Sequence, residues 1–386
     1  MSMPAEVDGY TTDQPRRPRM PRPNLGALVA TLLLVIYGLY FAFAGKLDSP
    51  ELMAETSLIP TDSLNYVQKA DELSAVGLTP VELITGALNW LSVSLVFGYF
   101  QNLGGFGPLA FVLINGVCLY VWLSGAGVLF RLPEPSRSVA ALMSLAASPF
   151  LFGWMLAPNK ELPTAALLIV ILRQAQRGHT GRVLAISILA ALFKLQVLLA
   201  ALIYTLGLKL RYRRSLTLFG LSLLIPILMP LVDGLSITTF LESQENEINS
   251  GAFFAALDQI NSWPLGYVVV APVRIAASIF AGLIPLRVFS YTQPADLLAS
   301  LTSFALGSLA VLCLIKAMSD GALRRLARNT TNCGYFLFCV ALTFSLVPFL
   351  QVRYYWWAIP LMISYLLRGP VPYGESRGAQ GRKVGA

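Results

Sequence analysis

Charge is scarce in this chain. Only 12% of its 386 residues are Asp, Glu, Lys or Arg, against roughly 25% in an ordinary soluble domain. With 56% hydrophobic residues, too little charge is left to coat a soluble globule. Disorder is excluded as well, because disordered chains are poor in apolar residues. Histidine is nearly absent. His179 stands alone in the basic loop RQAQRGHTGR, where it reads as a solvated loop residue. One histidine excludes HExxH and any multi-histidine metal site. Cysteine is scarce too. Cys118, Cys313, Cys333 and Cys339 lie in or beside apolar runs, and no CxxC occurs. They read as small packed side chains, not as disulfides or metal ligands. There is also no Walker A motif, no GxSxG, no Rossmann fingerprint and no EF-hand loop. The chain is therefore not itself the ATPase of a pump.

What is present is apolar sequence in long runs. Mean hydropathy is +0.65, so the solvent for most of the chain is expected to be lipid. The net charge of +8 then reports orientation before partners, and nucleic-acid binding is a poor reading of it. Residues 1–23 are polar, Pro-rich and basic (RRPRMPRPN lies at the end of this stretch) and form an expected cytoplasmic tail. Leu25 to Ala44 is long enough to span a bilayer and lacks a clean cleavage site. Further spans are expected at about 107–130, 137–156, 162–174, 183–208, 215–232, 264–290, 296–316, 333–350 and 354–367. The expectation is an all-α polytopic transmembrane bundle of about 10 spans. Residues 24–368 form one integral membrane domain, and residues 369–386 form a basic, Gly-rich cytoplasmic tail.

Positive charges should face the cytoplasm. That rule places the N-terminus, the 173–182 loop, the 209–214 cluster, the 324–328 cluster and the C-terminal tail inside. A simple count of spans breaks it. Two changes repair it together. Residues 82–102 become an external interfacial helix, and 183–208 become two short helices that dip in and return. The break falls near Phe193-Lys194-Leu195-Gln196. A Lys inside an apolar run costs roughly 2.5–3.5 kcal/mol on insertion scales unless it meets a polar cavity. The other reading is a single helix with Lys194 buried in the bundle. In the repaired topology 45–106, 157–161, 233–295 and 351–353 share one outer face. Asp62, Tyr66, Lys160, Glu161 and Arg353 then converge there.

Each of these residues has two readings. Asp62, in IPTDSLNYVQKADEL, is either a general base raised in pKa by partial burial or a helix N-cap. Lys160 and Glu161, in WMLAPNKELPTAALLIVI, are either a phosphate-binding cation and a second acid or base, or snorkelling, capping residues at the interface. Arg353, in FLQVRYYWWAIPLM, is either a ligand for a lipid-linked phosphate or a flanking cation. Tyr354, Tyr355, Trp356 and Trp357 beside it read as an interfacial aromatic belt. Arg274 and Arg287 are weaker candidates of the same kind as Arg353.

This pattern resembles the GT-C superfamily of integral-membrane glycosyltransferases and the related bacterial polysaccharide polymerases. In those families a first span precedes a long external loop with an essential acid, here Asp62 in PTDSLNY, and interfacial helices. A short charged second loop looks like PNKE, a Lys-containing break looks like ALFKLQ, and an Arg-Tyr start to a late span looks like Arg353-Tyr354. The first loop departs from many members in lacking an Asp-Glu pair, because Ser63 follows Asp62. The large soluble C-terminal domain of some members is absent from this sequence.

The resemblance implies transfer of a sugar or oligosaccharide from a polyprenyl-phosphate or diphosphate donor. The acceptor is a glycan or a lipid-linked acceptor, on the outer face of a bacterial inner membrane. Asp62 or Glu161 would deprotonate the acceptor hydroxyl, which attacks the anomeric carbon. Arg353, with Lys160 or Lys194, would stabilise the phosphate leaving group, and Tyr66, Arg274 and Tyr354 would complete the substrate site. No motif calls for a cofactor, and a divalent cation is the one left open. A transporter or lipid-linked glycan flippase is the main rival reading. A structural partner without chemistry of its own is a third.

Overall fold

The computed structural model describes residues 23–60, 63–68, 107–210, 212–233, 252–283, 294–320, 331–346 and 354–368. Asp62, Arg353, Arg287, the proposed interfacial helix 82–102 and both tails lie outside the described residues. Among the described residues the chain is helical throughout, with no strand. Four helices are long and apolar enough to cross a membrane: Leu25–Phe43, Pro108–Leu129, Gly266–Leu283 and Pro294–Ser319.

The first helix shows how the sequence sets these elements. Asn24 caps α1 (Leu25–Phe43), its side chain accepting from the Ala27 amide. At 1.5 Å per residue its 19 residues span about 28 Å, close to the roughly 30 Å hydrocarbon thickness. Ala27, Ala30, Leu34 and Gly38 repeat every three or four positions and are buried. Leu28, Leu32, Leu33, Ile36 and Phe43 are exposed. One face packs and the other is apolar but uncovered, as suits a helix whose outer face meets lipid. The buried face is made of small residues, which lets backbones approach. Gly26 lies against the Ser138 backbone with no room for a Cβ.

After a short α2 (Pro50–Glu55), the described bundle continues with α3 (Gly107–Leu129), α4 (Glu134–Ala146), α5 (Leu151–Met155) and α6 (Glu161–Gln176). Then come α7 (Thr180–Ala191), α8 (Leu195–Gly207), α9 (Arg213–Asp233), α10 (Ala252–Asn261) and α11 (Gly266–Phe280). The last three are α12 (Pro294–Ser319), α13 (Asn332–Phe344) and α14 (Ile359–Leu367).

Specific contacts sort the helix ends into two groups. At one end Asn24 donates to the Arg137 carbonyl, Gln176 to the Leu129 carbonyl and Arg213 to Asn332 Oδ1. At the same end the Lys316 ammonium donates to the Leu366 and Arg368 carbonyls, and the Phe130 and Tyr365 rings meet. These pairs join the starts of α1 and α4, the ends of α3 and α6, the starts of α9 and α13, and the ends of α3, α12 and α14. The short turn from α3 into α4 and the closeness of Gly178 to Asn332 bring the groups together. The cations Arg131, Arg137, Arg173, Arg177, Arg182, Arg213, Arg214 and Lys316 therefore belong to one end of the bundle. At the other end the Ala295 amide donates to the Ser57 carbonyl, Asn115 donates to the Trp154 and Ala157 carbonyls, and Lys194 meets Glu161.

The break expected near Lys194 is present. Helix α7 stops at Ala191 and α8 starts at Leu195, with Lys194 extended between them (φ −155°, ψ 100°). The two helices also reverse direction. Helix α7 rises from the turn at Gly178, beside Asn332 at the basic end. Helix α8 returns there, where Gly207 lies against the Tyr335 hydroxyl with no room for a Cβ. Lys194 is the tip of a helical hairpin.

The aromatic belt expected at 354–357 is corrected in part. Trp356 and Trp357 are buried, at 1% and 5% exposure. A 3-10 turn, Trp356–Ala358, carries them inward. There the Trp356 ring meets Trp122, Trp154 and Phe150 at centroid distances of 4.6, 4.9 and 5.1 Å. Trp122 Nε1 donates to the Trp357 carbonyl at 2.9 Å. Aromatic area buried among other rings stabilises more than the same rings at an interface, so the cluster clamps α3, α5 and the start of α14 together.

Candidate functional site

The PNKE turn joins α5 to α6 and is built on two amides. Asn115 Nδ2 donates to the Trp154 and Ala157 carbonyls at 3.0 and 3.1 Å. Asn159 Nδ2 reaches Trp154 O at 2.9 Å and Asn115 Oδ1 at 3.3 Å. Asn159 Oδ1 then accepts from the Leu162 amide at 2.9 Å, which satisfies one of the orphan donors at the start of α6. Both asparagines are buried. The turn is thereby fixed, and with it the direction of Lys160 and Glu161.

Glu161 occupies the first turn of α6, where the helix dipole favours a carboxylate. Its Oε2 lies 3.1 Å from Lys194 Nζ, and the two side chains are 8% and 3% exposed. The Lys194 ammonium also stands over two rings, 4.1 Å from the Tyr354 centroid and 5.1 Å from that of Phe344. Contact with a ring face stabilises a desolvated cation by about 2 kcal/mol. The lysine that interrupts the apolar run thus meets a carboxylate and two aromatic faces.

Tyr66 and Lys160 flank this pair. Lys160 Nζ is 6.0 Å from the Tyr66 ring centroid. Burial, then the negative potential of Glu161 and Tyr354, raise the Tyr66 phenol well above its ordinary range. It stays neutral and keeps a proton to donate. Burial lowers the Lys160 pKa, with Glu161 acting against that shift. Among the described residues the site holds two lysines, one carboxylate and two phenols. That balance favours an anion.

Of the residues expected to form the site, the structure brings together Tyr66, Lys160, Glu161, Lys194 and Tyr354. Arg274 does not contact any of them by a described interaction. It is buried on α11 and donates to the Ser345 carbonyl at 3.3 Å, capping the end of α13 where a cation suits the dipole. Tyr267 donates to the Leu342 carbonyl and shares a 2.9 Å bond with Ser345 Oγ. Arg274 is thus one residue from Phe344 in its contacts but acts on the helix end. Asp62 and Arg353 are outside the described residues, though their chain neighbours Ser63 and Tyr354 are within them.

Three contributors were missed from sequence: Asn115, Asn159 and Phe344. Asn115 stands in the apolar run FVLINGVCL, and the argument used for Lys194 applies to it, since a polar group in such a run needs a buried partner. Among the described residues no group of three or more His, Cys, Asp or Glu converges on a metal position.

The fold and site thus define, among the described residues, an all-helical bundle of apolar helices with a buried, ion-paired polar centre at one end and the arginine-rich turns at the other. No family model, curated protein or solved structure matches the chain.

Proposed function

We propose that this chain is a membrane glycosyltransferase or repeat-unit polymerase of the GT-C kind. It would use a polyprenyl-phosphate or diphosphate sugar donor on the outer face of a bacterial inner membrane, in cell-surface polysaccharide assembly. The observation that carries this reading is the convergence of Tyr66, Lys160, Glu161, Lys194 and Tyr354 at the end of the bundle away from the arginine-rich turns. Positive-inside orientation puts the cationic end in the cytoplasm and the site outside. There the donor phosphate reaches the protein from within the lipid.

Helix lengths support a recessed site. Helices α6, α7, α8 and α13 have 16, 12, 13 and 13 residues, about 18–24 Å each. None of them crosses a roughly 30 Å core alone, whereas α3 and α12 have 23 and 26 residues. The carboxylate and ammonium at the tips of the short helices then lie below the outer surface, where a lipid-linked phosphate travels.

In the reaction, Lys160 and Arg353 take the phosphate, and Lys194 is positioned by Glu161 to stabilise the charge that develops on the leaving oxygen. Glu161 is engaged with Lys194, so Asp62 takes the acceptor hydroxyl proton in this reading. The acceptor oxygen forms the new bond to the anomeric carbon as the bond from that carbon to the phosphate oxygen breaks.

The hairpin at Lys194 favours one alternative. Broken helices with polar tips also form binding sites in transporters, so a lipid-linked glycan flippase is the second reading. Single substitutions Asp62→Ala, Glu161→Ala and Arg353→Ala in the native host separate the two. The enzyme reading expects loss of the surface polymer and build-up of lipid-linked precursor on the outer leaflet in all three. Protein levels are expected to be normal in the Asp62 and Arg353 variants and lower in Glu161→Ala, which breaks the buried pair with Lys194. Precursor retained on the cytoplasmic leaflet supports the flippase. Normal polymer in all three variants overturns the site.

A further inference from the structure

Helix α11 reaches the polar centre through the end of α13. Its own start is fixed by a strained turn. Leu265 takes the left-handed backbone region (φ 65°), which is unfavourable for a residue with a Cβ and persists where the surroundings enforce it. Its amide donates to the Ser222 carbonyl of α9 at 3.2 Å. Gly266 lies against the Ile260 carbonyl of α10 with no room for a Cβ. Tyr267 follows at once and is fully buried.

A helix end leaves carbonyls short of intrahelical donors, and α11 supplies them to α13, which ends at Phe344. The Tyr267 hydroxyl donates to the Leu342 carbonyl and lies 2.9 Å from Ser345 Oγ. Arg274, two turns further along the same face of α11, donates to the Ser345 carbonyl at 3.3 Å. From the chain before α14 the Tyr355 hydroxyl donates to the Ala341 carbonyl at 3.3 Å. Phe344 sits inside this grip. Its ring lies 5.8 Å from that of Tyr354 and 6.5 Å from that of Trp357. Phe344 and Tyr354 are the two rings over the Lys194 ammonium. The end of α13 thus sets the aromatic cover of Lys194, and α11 sets the end of α13.

We infer that Tyr267 is a positioning residue for the site. By holding the end of α13 it seats Phe344 and Tyr354 over Lys194 and keeps the ammonium where it meets Glu161. The role in turnover rests on the proposed reaction, in which Lys194 stabilises the leaving oxygen while Lys160 and Arg353 hold the donor phosphate. A displaced Lys194 then lowers turnover and leaves donor binding alone.

The test uses the full chain in nanodiscs and the substitution Tyr267→Phe, which keeps the ring and removes the hydroxyl. The first measurement is independent of any reaction. Lysines are labelled by reductive methylation with formaldehyde and a borohydride reagent, and each is read by peptide mass spectrometry. Tyr267→Phe is expected to raise labelling of Lys194 about threefold or more. Lys316, which donates to the Leu366 carbonyl at the basic end, is expected to stay as in wild type. Phe344→Leu removes one ring directly and is expected to raise Lys194 labelling at least as much. Adding Tyr267→Phe to it is expected to change labelling by less than about twofold, because both act along one route. Tyr204→Phe removes a buried hydroxyl that has no hydrogen-bond partner and is the control, with Lys194 labelled as in wild type. The second measurement is sugar transfer from lipid-linked sugars extracted from the native host. Tyr267→Phe is expected to lower kcat about 5- to 10-fold with KM within about twofold. Equal rises at Lys194 and Lys316 would mean general loosening and overturn the positioning role. So would unchanged Lys194 labelling in Tyr267→Phe, a further rise in the double variant, or a higher KM at unchanged kcat. The expected labelling in a chain that transfers no sugar supports the hold of Tyr267 on Lys194 and sinks the glycosyltransferase reading instead.

Discussion

Lys194 Nζ and Glu161 Oε2 lie 3.1 Å apart, from positions 33 residues distant in the chain, and both side chains are more than nine-tenths buried. The pair joins the tip of the α7–α8 hairpin to the first turn of α6. It explains how a lysine survives in an apolar run: the charge is neutralised where it sits, and Tyr354 and Phe344 cover the rest. Removing one partner leaves the other charged and buried. Lys194→Met or Glu161→Gln alone is expected to destabilise the purified protein by about 3–5 kcal/mol. The double variant is expected to cost clearly less than the two singles together. Thermal unfolding in detergent measures this, and strict additivity would show that the pair does not couple.

The separation of helix ends makes a topological prediction. A reporter fused after Glu161 is expected to read external, and one fused at Gly178 cytoplasmic. The two positions are opposite ends of α6. A cytoplasmic reading after Glu161 would falsify the orientation. It would also remove the site from the face on which the proposed reaction takes place.

The hairpin was legible because a lysine in an apolar run is costly, and only a break or a partner relieves it. The structure shows both, whereas the sequence argument treated the break and the buried lysine as alternatives. That the described cations of the 173–182 loop and the 209–214 cluster share one end of the bundle was legible for the same electrostatic reason. The inward turn of Trp356 and Trp357 was not legible. An interfacial belt and a buried cluster have the same composition, and Trp122 and Trp154, which decide between them, come from distant parts of the chain. Nor did spacing reveal that Arg274 caps α13, since that depends on which helix α11 lies against. The Asn115–Asn159 clamp was hidden by the same long range, being a contact between α3 and the turn before α6.

That clamp can be tested by its effect on Lys160 and Glu161. Asn159→Ala removes the acceptor for the Leu162 amide and is expected to cost about 1–2 kcal/mol. Asn115→Ala removes one of the two side-chain donors at each of the Trp154 and Ala157 carbonyls, Asn159 supplying the other, and is expected to cost about 0.5–1.5 kcal/mol. If the clamp positions the site, both variants lower turnover more than they raise KM for the lipid-linked donor, at temperatures where each is folded. A change in thermal stability alone would restrict the clamp to a structural role.

The pH dependence follows from Lys160. Burial lowers its pKa below the ordinary lysine value of 10.5, with Glu161 opposing. Between the folded and unfolded values the unfolded chain binds more protons, so stability rises with pH through that window. The burial penalty of Lys160 is therefore fully present below its folded pKa and fades as pH approaches 10.5. Under the proposed reaction, activity should move the opposite way, because the ammonium proposed to hold the donor phosphate is lost over the same range. The alkaline limb of donor binding is expected to fall before 10.5 in the wild-type chain. Lys160→Arg keeps its charge throughout and should move that limb upward, whereas Lys160→Met should weaken binding at every pH and flatten the profile. Initial rates at subsaturating donor, read from pH 6 to 10 on all three proteins, measure the limb. An alkaline limb that is the same in Lys160→Arg as in wild type would assign it to another group and take Lys160 out of phosphate binding.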